Sequence, residues 1–171
     1  GICASAQMPL TILIIGVFHG EEPQGKTLIE NYLKLPFSQE TKGKNKMLFI
    51  PCLNPDGMNL NKRQNSNGID LNRNFPTKNW GVNVSDNPDY YGGENPGSEI
   101  ETKFVMKILE EFSPDIILTI HAPYKVVNYD GPAKEIAEKI SEIMKYPTKK
   151  DIGYPTPGSF GIYAGVERNI P

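Results

Sequence analysis

Three short apolar runs mark out the chain, and each has the length and β-branched content of a buried strand. Residues 11–18 read Thr-Ile-Leu-Ile-Ile-Gly-Val-Phe, residues 46–53 carry Met47, Leu48, Phe49 and Ile50, and residues 115–120 carry Ile116, Ile117, Leu118 and Ile120. Continuous rather than alternating apolar character belongs to strands covered on both faces, as in parallel sheets. Between and after these runs the period changes to that of helices. Pro23 suits a first helical turn, and Leu28, Ile29, Tyr32 and Leu33 continue it on one face. Ser98 and Glu101 form an S-x-x-E capping box ahead of Phe104, Val105, Ile108 and Leu109. Residues 133–144 form an amphipathic helix. Strands alternating with helices predict an α/β fold with a largely parallel sheet. Residues 54–97, rich in Asn, Gly, Pro and Asp, read as one long loop. A loop of that length in a compact domain usually has a functional reason.

The 171 residues make one domain, with 38% hydrophobic and 22% charged residues and a net charge of -2. That weak acidic balance gives no footprint for nucleic acid. The run at residues 12–18 is too short to span a bilayer, so no membrane role is expected. Cys3 and Cys52 are too few for a disulfide framework, and a reducing compartment is favoured. Ala4-Ser5-Ala6 has the small residues of a cleavage site without the basic and apolar segments of a leader, so it is not read as one.

The only two histidines stand in equivalent places. His19 follows the run 11–18 directly, and His121 follows the run 115–120 directly. Ligands of open α/β sheets bind beyond the carboxyl ends of strands, where both side chains would meet. Glu22, three residues after His19, adds a carboxylate at the turn into the helix. Two imidazoles and one carboxylate leave a fourth position open, the mark of catalytic rather than structural zinc. Glu21 is the alternative donor, read as a solvated first-turn residue.

A second constellation occupies residues 54–76, NPDGMNLNKRQNSNGIDLNRNFP. Arg63, Asn72 and Arg73 in one polar loop make an anion-recognition segment, since guanidinium and amide groups bind carboxylates and polarise carbonyls. The competing reading is a solvated turn closed by an Asp70–Arg73 pair.

Five ordered motifs then give a specific resemblance. His19-Gly20-Glu21-Glu22, Asn54-Pro55-Asp56-Gly57, Arg63, Gly68-Ile69-Asp70-Leu71-Asn72-Arg73-Asn74-Phe75 and Leu118-Thr119-Ile120-His121 together resemble the zinc carboxypeptidases, the carboxypeptidase A-like metallopeptidases. The resemblance spans essentially the whole chain. It implies a three-layer sandwich with a mixed, largely parallel central sheet flanked by helices. It also implies one zinc-peptidase domain over residues 1–171 that lacks its final strand or strands. By the same resemblance His19, Glu22 and His121 hold Zn2+, Arg63 polarises the scissile carbonyl, and Asn72 with Arg73 grips the substrate's terminal carboxylate. Tyr163, within the segment Gly158-Ser159-Phe160-Gly161-Ile162-Tyr163-Ala164-Gly165, resembles the family's substrate-contacting tyrosine.

The general-base glutamate of that family lies on a strand beyond the segment that residues 166–171 resemble. Glu167 is the nearest carboxylate and reads as a surface residue. The expectation is that the base lies past Pro171, and that residues 1–171 alone bind zinc and hydrolyse poorly. Compact size and the NPDG, RxNxxGxDLNRNFP and PGSFGxYAG patterns resemble the bacterial murein peptide amidases. That resemblance implies a small peptide partner with a free C-terminal carboxylate, cleavage of a γ-D-glutamyl–diaminopimelate bond, and a cytoplasmic location, or a periplasmic one if a leader precedes residue 1. The alternatives are an aspartoacylase or succinylglutamate desuccinylase-like deacylase, which shares H-x-x-E, D-L-N-R and the later histidine, and a zinc-holding module without catalysis.

Overall fold

The structure is a computed structural model that describes residues 8–36, 45–82 and 85–171. Cys3 and the Ala4-Ser5-Ala6 stretch lie outside the described residues. Strand β1 (Thr11–Gly16) is central in a three-stranded sheet. Its neighbours are β2 (Lys46–Ile50) and β3 (Ile116–Ile120), both parallel to it, in the order β2-β1-β3. Leu13 pairs in register with Leu48 and with Ile117. A second, two-stranded parallel pair joins β4 (Val127–Asn128) and β5 (Thr148–Lys149). Every pairing among the described residues is therefore parallel, so the mixed character expected of the sheet is not seen there.

Helices cover both faces. Alternate residues of a strand point to opposite sides. Leu13 and Ile15 face a core shared with Val105 and Leu109 of α3 (Ile100–Phe112) and with Phe18, Phe75, Phe160 and Tyr163. Ile14 pairs in register with Phe49, on the opposite face, and there Tyr32 of α1 (Gln24–Leu33) stacks 5.7 Å from the Phe49 ring. Helix α4 (Lys134–Met144) follows β4 and buries Ala137. A π-helical turn, Ile162–Val166, ends the ordered elements.

Several local expectations fail for identifiable reasons. The first strand stops at Gly16 because Val17 takes φ 55, a conformation a β-branched residue rarely adopts and a strand cannot continue. In α1 only Gly25 and Ile29 are buried, and Leu28, Tyr32 and Leu33 stay largely exposed. Ser98 is not a helix cap. Glu99 occupies that position, and the Ser98 hydroxyl instead donates to the Glu99 carboxylate and accepts from the Asn74 amide. The long loop also contains a helix, α2 (Pro55–Leu60), capped by the Asn54 side chain at the Gly57 N–H. Asn at the cap followed by Pro at the first helical position is a start signal that could have been read from the sequence.

Among the described residues no helix is long and apolar enough to cross a membrane. Cys52 is half-buried and free.

Candidate metal centre and substrate cavity

The bend at Val17 turns Phe18 into the core and presents His19 at the carboxyl end of β1. Phe18 is fully buried and packs 5.5 Å from Phe160 and 6.3 Å from Phe75. At roughly 1.5–3 kcal/mol for each large apolar side chain buried, this trio anchors the loops that carry the site. Asn54, also fully buried, ties them together. Its Nδ2 donates to the carbonyls of Phe18 and Arg63, and its backbone N–H donates to the Val17 carbonyl. Gly20 must lack a side chain because a Cβ there would fall 1.9 Å from the Gly57 carbonyl carbon. The segment Asn54–Gly57 thus works as the clamp that holds His19 and Arg63 side by side.

Three donor side chains converge at this end of the sheet. The ligating atoms of His19, Glu22 and His121 all lie within 4.8 Å of one another. His19 Nδ1 is 2.9 Å from Glu22 Oε1, and His121 Nδ1 is 2.9 Å from Glu22 Oε2. Both imidazoles therefore offer Nδ1 to the same carboxylate. Two imidazoles and a carboxylate, one side open to a cavity, are the donor set of a catalytic zinc site. Burial pushes the Glu22 carboxyl up, but the His121 and His19 hydrogen bonds and charges outweigh it and hold it at about 2. His121 stacks 5.6 Å from Phe18. Its side chain keeps 33% of its surface open, yet the enclosing walls desolvate it and lower its pKa despite Glu22.

Asp70 is the site residue that the sequence did not single out. It is fully buried, with Oδ1 3.2 Å from His19 Nε2 and Oδ2 2.9 Å from Arg63 Nε. The His19 contact is a close charge contact without hydrogen-bond alignment, since Nε2 is a buried nitrogen with no aligned partner. Burial opposes ionisation of Asp70, but His19 above all, then Arg63 and Arg73, hold its carboxyl at about 2. Burial likewise opposes charge on His19, and the Asp70 and Glu22 carboxylates overcome it and raise that pKa. A metal on Nδ1 needs the His19 proton on Nε2, where Asp70 faces it. Asp70→Asn should therefore lower zinc affinity about 10- to 100-fold, as loss of such outer carboxylates does. Competition with a chelating dye measures this, and unchanged affinity would remove Asp70 from the site.

The donors open onto a cavity of about 820 Å³ whose wall also includes Arg63, Asn72, Arg73 and Tyr154. The Arg63 guanidinium lies 4.7 Å over the Tyr90 ring, and Arg73 lies 5.4 Å from the same ring. Asn72 Oδ1 accepts the Phe160 N–H, which leaves its Nδ2 donor without a partner among the described residues. Arg73 Nη1 donates to the Asn72 carbonyl at 2.6 Å, which orients the guanidinium. The two arginines flank Asp70 rather than forming the solvated Asp70–Arg73 turn weighed from the sequence.

Tyr163 stands apart from the cavity wall as the structure places it. It is 3% exposed, packs 5.3 Å from Phe75, and lies beneath the Arg168 guanidinium at 3.3 Å. The π-helical turn carries it into the core. Tyr154 stands in the cavity wall instead, its ring 5.9 Å from Tyr90. Its segment, Tyr-Pro-Thr-Pro-Gly, has no periodicity that would have drawn notice. Glu167 is half-buried, its Oε1 accepts the Lys78 N–H at 2.7 Å, and it takes no part in the cavity wall. Glu21 is exposed at the rim and lies outside the donor triad.

The zinc carboxypeptidase family profile matches residues 5–151. Murein peptide amidase A of Escherichia coli K12 is 36% identical over 124 residues, which cover 67% of this chain and 51% of that protein. The Vibrio campbellii protein of the same name is 32% identical over 133 residues, covering 71% and 52%. The chain thus spans about half the length of these curated relatives. The crystal structure of murein-tripeptide amidase MpaA from Escherichia coli O157 superposes with a TM-score of 0.79 at 29% identity, covering 98% of this chain and 72% of that one. The chain belongs to the zinc carboxypeptidase family.

Proposed function

We propose that the protein is a zinc-dependent hydrolase that cuts a peptide-type bond next to a free carboxylate, and that its substrate is the γ-D-glutamyl–diaminopimelate bond of murein peptides. One observation carries the reading: His19, Glu22 and His121 share one cavity with Arg63, Asn72 and Arg73. The similarity to proteins named murein peptide amidases supports this choice of substrate.

His19, Glu22 and His121 are the residues that would hold zinc. When bound, the metal supplies Lewis-acid chemistry at a carbonyl and a supply of activated water. The chain's own groups bind and orient the substrate and stabilise developing charge. Arg73, buried and oriented by the Asn72 carbonyl, offers a planar fork that fits a carboxylate. The free Nδ2 of Asn72 adds a second donor beside it. Arg63, fixed through Nε by Asp70, keeps both terminal nitrogens available for an oxygen that gains negative charge. The substrate's terminal carboxylate is thereby fixed, and its scissile carbonyl is directed towards Arg63 and the donor triad.

A deacylase acting on N-acyl amino acids shares the triad. Assay of the zinc-loaded, full-length protein with a γ-D-glutamyl–diaminopimelate peptide, in parallel with N-acetyl and N-succinyl amino acids, separates the two. Turnover of the peptide at the higher kcat/KM is expected. Preference for the acylated amino acid would replace this reading with the deacylase.

A further inference from the structure

The turn between Arg63 and Asp70 carries the only Asn-Gly step in the sequence, Asn67-Gly68. Both residues are exposed, although the nearby Asn65 and Ile69 are buried. Gly68 takes φ 72, and a Cβ there would meet nothing within 4 Å. Its N–H donates to the Asn65 carbonyl across a solvent-facing turn. With no side chain on Gly68, that backbone nitrogen is as little hindered as a peptide nitrogen can be.

The Asn67 amide is held against a carboxylate. Its Nδ2 donates to Glu99 Oε2 at 2.7 Å. Glu99 is buried, and it also accepts from Asn65 at 2.8 Å and from the Ser98 hydroxyl at 2.7 Å. Burial opposes its ionisation, but the Asn65, Asn67 and Ser98 hydrogen bonds outweigh this and lower its pKa.

An asparagine followed by glycine can lose its amide without an enzyme. The Gly68 nitrogen attacks Asn67 Cγ, forming an N–Cγ bond and a five-membered succinimide. The Cγ–Nδ2 bond breaks, and the nitrogen leaves as ammonia with the proton that Gly68 gives up. Water then opens the ring, at the Cγ side to give aspartate or at the backbone side to give isoaspartate. The Glu99 carboxylate, 2.7 Å from the departing nitrogen, favours the positive charge this nitrogen gains as it leaves.

The product does not fit where the amide was. A carboxylate offers only acceptors, and it would stand against that of Glu99. Two close like charges repel, most of all where one is buried. Asn65 frames the same turn, its Oδ1 accepting the Asn67 and Ile69 N–H groups, and Ile69 leads directly into Asp70. Displacing Asn67 therefore acts on the segment that sets Asp70 against His19 and Arg63.

We infer that Asn67 is a self-modifying site: it converts to aspartate and isoaspartate through Gly68, and the new carboxylate, facing Glu99, loosens the turn that positions Asp70. The inference is independent of the substrate proposed above.

The zinc-loaded, full-length protein, held folded in mildly alkaline buffer and followed by peptide mapping with mass spectrometry, tests it. Asn67 should gain the mass difference between amide and acid ahead of every other asparagine, with ammonia released in step. Asn67→Gln, whose longer side chain closes the ring with difficulty, should lose that gain. Asn67→Asp should lower Tm by about 2–4 °C and weaken zinc binding in competition with a chelating dye. Conversion only after unfolding in urea, earlier conversion at other asparagines, or an Asn67→Asp protein with unchanged Tm and zinc affinity would each overturn the inference. Should Asn67→Asp fail to fold, the aged wild type supplies the same two measurements.

Discussion

His121→Ala should abolish tight zinc binding, with a loss larger than the roughly 10- to 100-fold that outer partners such as Asp70 contribute. His19 and Glu22 are three residues apart on one turn, and both depend on the same local backbone. His121 arrives from a different strand and closes the set, with Nδ1 2.9 Å from Glu22 Oε2. Without it two donors remain, too few for the three-ligand site that a catalytic zinc requires. The substitution should leave the fold intact, because a third of the side chain is already open and β3 ends at the preceding residue. Zinc content after dialysis against a chelator, alongside a thermal melt, reads both effects. Retention of close to one zinc per chain would remove His121 from the donor set.

Arg63→Ala in the full-length, zinc-loaded protein should lower kcat by about a hundredfold or more, the usual cost of removing one oxyanion donor. KM should change far less, because the substrate's carboxylate is assigned to Arg73 and Asn72, and an interaction made only in the transition state appears in kcat. Arg63→Lys should not restore the rate. The guanidinium uses Nε for Asp70 and stacks on Tyr90 while presenting its outer nitrogens, and an ammonium cannot do all three. The alanine variant should also lose some stability, since Asp70 is fully buried and would keep fewer partners. Comparing kcat at temperatures well below each variant's melting point separates the two effects. A rise in KM with kcat unchanged would reassign Arg63 to ground-state binding.

The donor triad was legible because strand ends are legible. Continuous apolar runs locate buried parallel strands, and the only two histidines sit at the ends of two such runs. The ordered motifs of residues 54–76 then gave the family, which the profile over residues 5–151 supports independently. The order of sheet neighbours was not legible, since β1 lies between β2 and β3 through contacts far apart in sequence. The same limit applies to Asp70. The sequence singled it out only in the competing reading, a solvated turn with Arg73, whereas its contacts to His19 and Arg63 make it the buried charge behind the site.

Tyr163 was singled out by resemblance alone, and the structure buries it. Its segment resembles the one that carries the family's substrate-contacting tyrosine, and helical geometry turns the ring towards Phe75. By itself, then, the sequence determined the strand–helix alternation, the family, and a His-Glu-His set at strand ends, because these rest on local periodicity and short motifs. Only the tertiary structure decided which groups stand behind those donors and which tyrosines border the cavity. Those depend on side-chain direction and on contacts between distant segments, and neither leaves a periodic trace in the chain.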